Sequence, residues 1–199
     1  MAPDAEKKAD TGDDRRSADS DDATVLRTLF EEKARAEIDA ADALAPGSDV
    51  VPVSGALMAH VALVKGLPGP SEVTGGAALS GPDGDAAARA LAALGYDPDS
   101  LFAIVSRAEP GIEESRRVER LRLALEAVDP RLIVALDADA GHDVSMAFGI
   151  APLRFGKPVR VLGRTVVAVD GLEASLTDQA RKQRVWRQLR SVEAGRGEP

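Results

Sequence analysis

The chain has no cysteine, two histidines and only 3% aromatic residues in 199 positions. Without cysteine there is no disulfide, zinc–thiolate centre, iron–sulfur cluster or thiol nucleophile. His60 and His142 are too few for a multi-histidine metal site. No run approaches the roughly 18 continuous apolar residues of a membrane helix. The opening MAPDAEKKAD lacks the apolar core of a secretory signal. These absences lead us to expect a cytoplasmic protein with no cofactor and no membrane contact.

What is present is a chain that is 44% hydrophobic and 29% charged, with a net charge of -8. That apolar share suffices for one core. Residues 1–22 hold eight acids and four bases, with no aliphatic residue larger than alanine after Met1. Such a segment buries too little to offset its ordering entropy, so a disordered acidic tail is expected there. One domain is expected over 23–193, and a short flexible end over 194–199. The remainder after the tail has 25 acids and 21 bases, which argues against strong nonspecific nucleic-acid binding. The last helix does carry Arg181, Lys182, Arg184, Arg187 and Arg190. Arg181, Arg184 and Arg187 are therefore candidate nucleic-acid contacts, or else a solvated outer face.

Leu26, Phe30, Ala34, Ile38, Ala41 and Ala45 recur at three- and four-residue steps, predicting a helix over 24–45. Pro46-Gly47 ends it. The run 50–53 is interrupted by Pro52 and is at most a marginal strand. HVALV at 60–64, LFAIVS at 101–106 and LIVAL at 132–136 read as buried strands, short, continuous and partly β-branched. Helices are expected at 86–94 with Asp85 as cap, at 112–128, around 140–148, and at 176–192. A hairpin-like Gly163-Arg164 joins 159–162 to the strand TVVAV at 165–169. Strands apolar on both faces, alternating with helices, predict an α/β fold. The expectation is a three-layer α/β/α sandwich around a mainly parallel four-stranded sheet. Ligands of such folds sit outside the carboxyl ends of the strands.

The series Val64-Lys65-Gly66-Leu67-Pro68-Gly69, then Gly81-Pro82-Asp83-Gly84 before an alanine/leucine helix, resembles the uracil-DNA glycosylase superfamily. Its thermophile-type branch is the nearest in pattern. Asp129-Pro130-Arg131-Leu132-Ile133-Val134, the Val-x-Ala-Val strand and Lys182-x-x-x-Trp186-x-x-Leu189 fit the same order. The similarity covers about 24–192. It implies a glycosylase-like sandwich and base flipping into a pocket.

The family's chemistry uses an acid or amide that positions water, a stacking phenylalanine, a base-reading asparagine and an anion-stabilising histidine. Carried onto this chain, those positions fall on Gly66, Leu79, Ile104 and Asp170. None of the four supplies the required group, and an aspartate would repel a developing uracil anion. The resemblance thus implies a degenerate member without ordinary uracil excision, its pocket formed by Gly66, Leu67, Pro68, Gly69, Leu79, Ile104 and Asp170. DNA, a nucleotide or a protein is the expected partner.

Two other features carry potential chemistry. Asp137, Asp139 and His142, with Asp143 beside them, follow the third strand and could hold a hard cation; equally, Asp139 caps the next helix and the rest are solvated. An active DNA glycosylase or hydrolase with its site relocated to these residues and Asp170 is the alternative reading, and a structural partner-binding module a further one. The glycine-rich stretch 66–84 could cradle phosphate through backbone amides, or simply pack tightly. His60 is expected as a core or edge histidine.

Overall fold

Four aliphatic runs, each with both faces covered, make the middle of the sheet. The computed structural model describes residues 13–45, 47, 50–109 and 111–194. In it β2 (Val61–Lys65), β3 (Leu101–Val105), β4 (Leu132–Ala135) and β6 (Arg164–Ala168) are parallel, in the spatial order β3-β2-β4-β6. Two short antiparallel strands, β1 (Ser54–Gly55) beside β3 and β5 (Val159–Val161) beside β6, complete a mixed six-stranded sheet. The expected four parallel strands are its centre; the two edges correct that count.

Both edges have local causes. Pro52 has no N–H to give a ladder, and the pairing falls on Ser54 and Gly55 instead, opposite Ala103 and Phe102. Gly55 has φ +89, and a Cβ there would strike the Leu101 carbonyl. At the other edge Leu162 and Gly163 both take positive φ, 48° and 80°. Positive φ at both central residues is the two-residue turn whose twist suits a hairpin.

Side chains alternate across the sheet with period two. Val61 and Leu63 of β2 face α3 (Pro82–Ala93) and α7 (Gln179–Ala194), with Leu91, Val185 and Leu189. Ala62 and Val64 face α4 (Glu114–Val128) and α5 (Ala138–Ala147), with Leu121, Leu125 and Val144. Lys65 shares the parity of Val61 and Leu63, so its side chain is sent to the α3 side. Packed with α4, on the α4 face of the sheet, is α1 (Asp13–Asp42), whose Ala34, Ile38 and Ala41 are buried and whose Ile38 joins the core on that side. Arg120 is buried on α4: Nε donates to Asp42 Oδ1 at 2.8 Å and Nη1 to the Val105 carbonyl at 3.0 Å. One guanidinium thereby fastens α1 to the end of β3.

Several boundaries differ from the sequence reading. Helix α1 starts at Asp13, inside the segment expected to be tail, because no proline or glycine interrupts residues 13–45. Residues 1–12 and 195–199 lie outside the described residues. Helix α3 starts at Pro82 after Gly81, with proline in the first turn where its missing N–H costs nothing, and Asp85 is inside the helix rather than its cap. Helix α4 begins at Glu114 and ends on Asp129 in the left-handed region. The last helix, α7, begins at Gln179 rather than 176, and a one-turn helix not expected from the sequence, α6 (Leu172–Ser175), precedes it. His60 precedes β2 and is exposed; its carbonyl accepts from the amides of Arg131 and Leu132.

The chain leaves β2 toward β3 and leaves β4 toward β6, in opposite directions across the sheet. That reversal opens a crevice outside the carboxyl ends of β2 and β4.

Candidate functional site

The crevice is an open cleft of about 650 Å³. Its walls are Leu67, Pro68 and Gly69 after β2, Leu136, Asp137 and Asp139 after β4, and Gly171–Ala174 after β6. Lys65 and Asp83 lie at its floor. Of the sequence-derived pocket residues, Leu67, Pro68 and Gly69 line it, together with two of the proposed metal ligands.

Lys65 is almost completely buried and sits among three carboxylates. Its Nζ is 2.6 Å from Asp83 Oδ2, 3.1 Å from Glu173 Oε2 and 3.4 Å from Glu72 Oε1. Burial alone would pull the ammonium down, but hydrogen bonds to Asp83 and Glu173 and the charges of Asp83 and Glu72 outweigh it. The ammonium is held above the ordinary lysine range and stays charged. Glu72 is equally occupied: its carboxylate accepts the amides of Gly69 at 3.0 Å and Leu79 at 2.9 Å. The glycine-rich stretch therefore wraps an internal carboxylate, with short α2 (Pro70–Val73) presenting it.

The carboxylates after β4 are also committed. Asp137, not Asp139, caps α5: Oδ1 accepts the Ala140 amide at 2.8 Å, and Oδ2 accepts the Gly66 amide at 2.9 Å. A Cβ at Gly66 would collide with Asp137 and Asp139. Gly66 thus has no room for a side chain. Asp139 pairs with Arg107 Nη1 at 2.8 Å. Asp143 is fully buried on the sheet side of α5. It accepts Ser106 Oγ at 2.7 Å, Arg107 Nε at 3.0 Å and Arg117 Nη2 at 3.2 Å. The hydrogen bond to Asp143, opposed by burial and assisted by the charges of Asp143, Asp139 and Asp137, raises Arg107 further.

His142 is exposed on α5. Among the described residues no three His, Cys, Asp or Glu side chains group to hold a metal ion. The grouping Asp137, Asp139 and His142 is therefore not brought together as a metal centre. Ile104 is fully buried in β3 on the α4 side of the sheet, away from the cleft. Leu79 holds a left-handed backbone, φ 56, and packs with the α3-side core. Asp170 is ion-paired to Arg184 Nη1 at 3.2 Å, and its amide donates to Gln188 Oε1.

Sequence reasoning missed Lys65, Glu72, Asp83 and Glu173. The available signal was a lysine closing an apolar strand, with an acid in the first turn of each of three following helices.

Charge is segregated along the sequence. Residues 144–192 hold nine bases and three acids, and the other 150 hold 16 bases and 30 acids. Arg154, Lys157 and Arg160 precede or enter β5, and Gly156 lies against Gln188 of α7. The loop carrying Arg154 and Lys157 thus adjoins the turns of α7 that bear Arg184 and Arg187. Arg181 lies nearer the cleft, with Nη1 beside Gly171.

No helix among the described residues is long and apolar enough to cross a membrane. No protein-family model matches the chain, and no curated protein matches it.

Proposed function

We propose that the chain is a uracil-DNA-glycosylase-like protein that does not excise bases and works by binding. The supporting observation is the state of the cleft floor. Lys65, Glu72 and Asp83 are locked in one another's hydrogen bonds, and Asp137 spends both oxygens on backbone amides. Base excision needs a group free to position water and a donor for the departing anion. Here the groups around the cleft are predominantly acidic and oppose an anion. The relocated site built on Asp137, Asp139, His142 and Asp170 finds no support in these contacts.

The partner we assign is a nucleic acid lying along α7 and the adjoining 154–160 segment, outside the cleft. Arg154, Lys157 and Arg160 of that segment and Arg181, Arg184, Arg187 and Arg190 of α7 supply phosphate contacts there, while the acidic remainder repels other approaches.

Two measurements test the reading. Oligonucleotides containing uracil or hypoxanthine should yield no free base above background; release that Asp170→Ala abolishes would overturn it. Single-stranded DNA should bind with an affinity that falls steeply with salt, and Lys157→Ala with Arg187→Ala should reduce both affinity and salt slope. Binding indifferent to salt, or to these substitutions, would sink the partner assignment.

A further inference from the structure

The N-terminal half of α1 exposes a row of large apolar side chains. Val25, Leu26, Leu29 and Phe30 are each more than half exposed, at 55–57%. The stripe that buries Ala34, Ile38 and Ala41 runs on through Phe30 and Leu26, which line open clefts beside Met58 and His60, and leaves Val25 and Leu29 on the outer face. A contiguous exposed apolar row of this kind marks an interaction surface, so this half has reason to find a partner. Along the face 22, 25, 29 and 32, Asp22 and Glu32 bracket Val25 and Leu29. Neither acid has an ion-pair partner among the described residues.

On the other side of the molecule a groove of about 450 Å³ runs between α3 and α7. Ala86 and Ala90 keep its α3 wall low, and Leu176 and Trp186 give it apolar depth. Its lining contains two charged residues, Arg89 and Lys182, and no acid. Both are exposed, and neither has an ion-pair partner among the described residues.

We propose that this groove receives the N-terminal half of α1 from a second copy of the chain. An amphipathic helix laid apolar-side down in a groove is a common docking mode. Here Val25 and Leu29 enter the groove, and Asp22 and Glu32 meet Arg89 and Lys182. The helix of the same chain does not reach: Ile38, Ala41 and the Arg120–Asp42 pair hold α1 on the opposite face of the sheet. Reciprocal exchange uses each helix and each groove once, so it closes at two copies.

Sedimentation velocity of the full chain over a wide micromolar range tests this. The expected result is a concentration-dependent dimer that Leu29→Asp dissociates, with thermal stability unchanged at dilutions where the native chain is itself monomeric, since Leu29 is exposed in the single chain. Arg89→Glu with Lys182→Glu should weaken association roughly tenfold, about 1.4 kcal/mol. Adding Asp22→Lys and Glu32→Lys to that variant should restore it. A monomer throughout overturns the proposal, as does a dimer that survives Leu29→Asp. Association broken by Leu29→Asp but indifferent to both groove charges also overturns it and points to α1 pairing with α1.

Discussion

The two ends of the sheet are built oppositely. At the carboxyl end ionisable groups interlock below the surface: Lys65 with Glu72 and Asp83, Asp143 with Arg107 and Arg117. At the amino end Arg131, Arg160 and His60 stand exposed around a second cleft, with Asp97 the one acid among its lining. Helix polarity accounts for the signs. The helices begin at the carboxyl end, where their partial positive charge favours Glu72, Asp83 and Glu173, and α3, α4 and α7 end at the amino end, where cations are favoured. It does not account for the depth. Burying charge is costly unless every partner is in place, so the carboxyl end is the fragile one and the amino end the tolerant one.

The sharpest way to break that contrast is Lys65→Ala, which strands two buried carboxylates. We expect a loss of about 3–5 kcal/mol by denaturant unfolding. Lys65→Met combined with Glu72→Gln and Asp83→Asn should regain part of it, because no charge is left buried and the one side-chain oxygen kept at position 72 still accepts from one of the amides of Gly69 and Leu79. A cost below about 1 kcal/mol, the range of exposed pairs, would show the cage to be solvated.

Alkali should do part of the same without mutation. The folded Lys65 ammonium titrates above its unfolded value, so its contribution is complete below about pH 10.4 and fades as pH rises through the folded value. Denaturation midpoints measured into that alkaline window should fall more for the native chain than for the triple variant. Equal falls would locate the effect elsewhere.

A smaller effect is expected from Asp137→Ala, about 1–2 kcal/mol, for loss of the α5 cap and the Gly66 clamp. Asp137→Asn should keep much of it, since one oxygen still accepts. The smallest belongs to the amino end: Arg131→Ala should change stability by no more than about 0.5 kcal/mol. If Arg131→Ala cost as much as Asp137→Ala, the two ends would not differ as described.

The sheet was legible because its strands are doubly buried, and a doubly buried strand must be a continuous aliphatic run; 61–64, 101–105 and 132–136 admit no other reading. The edge strands were not, since two or three residues carry no period and their pairing depends on what lies beside them. The start of α1 escapes a sequence reading for a different reason. An acidic, aliphatic-poor composition argues against a packed segment, whereas the absence of glycine and proline from 13 to 45 leaves the backbone free to continue a helix. At the site, Leu67–Gly69 were found because loops after parallel strands gather at a predictable place. The Lys65 cage was hidden because its members lie 7, 18 and 108 residues from the lysine. Only the parity of β2 and the opening turns of α2, α3 and α6 bring them together.

The margins of the sheet bear on how copies of this chain can meet. Two residues at one rim and three at the other, each entered past a proline, Pro52 or Pro158, leave little main chain on which a foreign strand could template itself. Fibrous stacking is thereby discouraged, and cohesion between molecules falls to helical surfaces, where it can be finite and reversible.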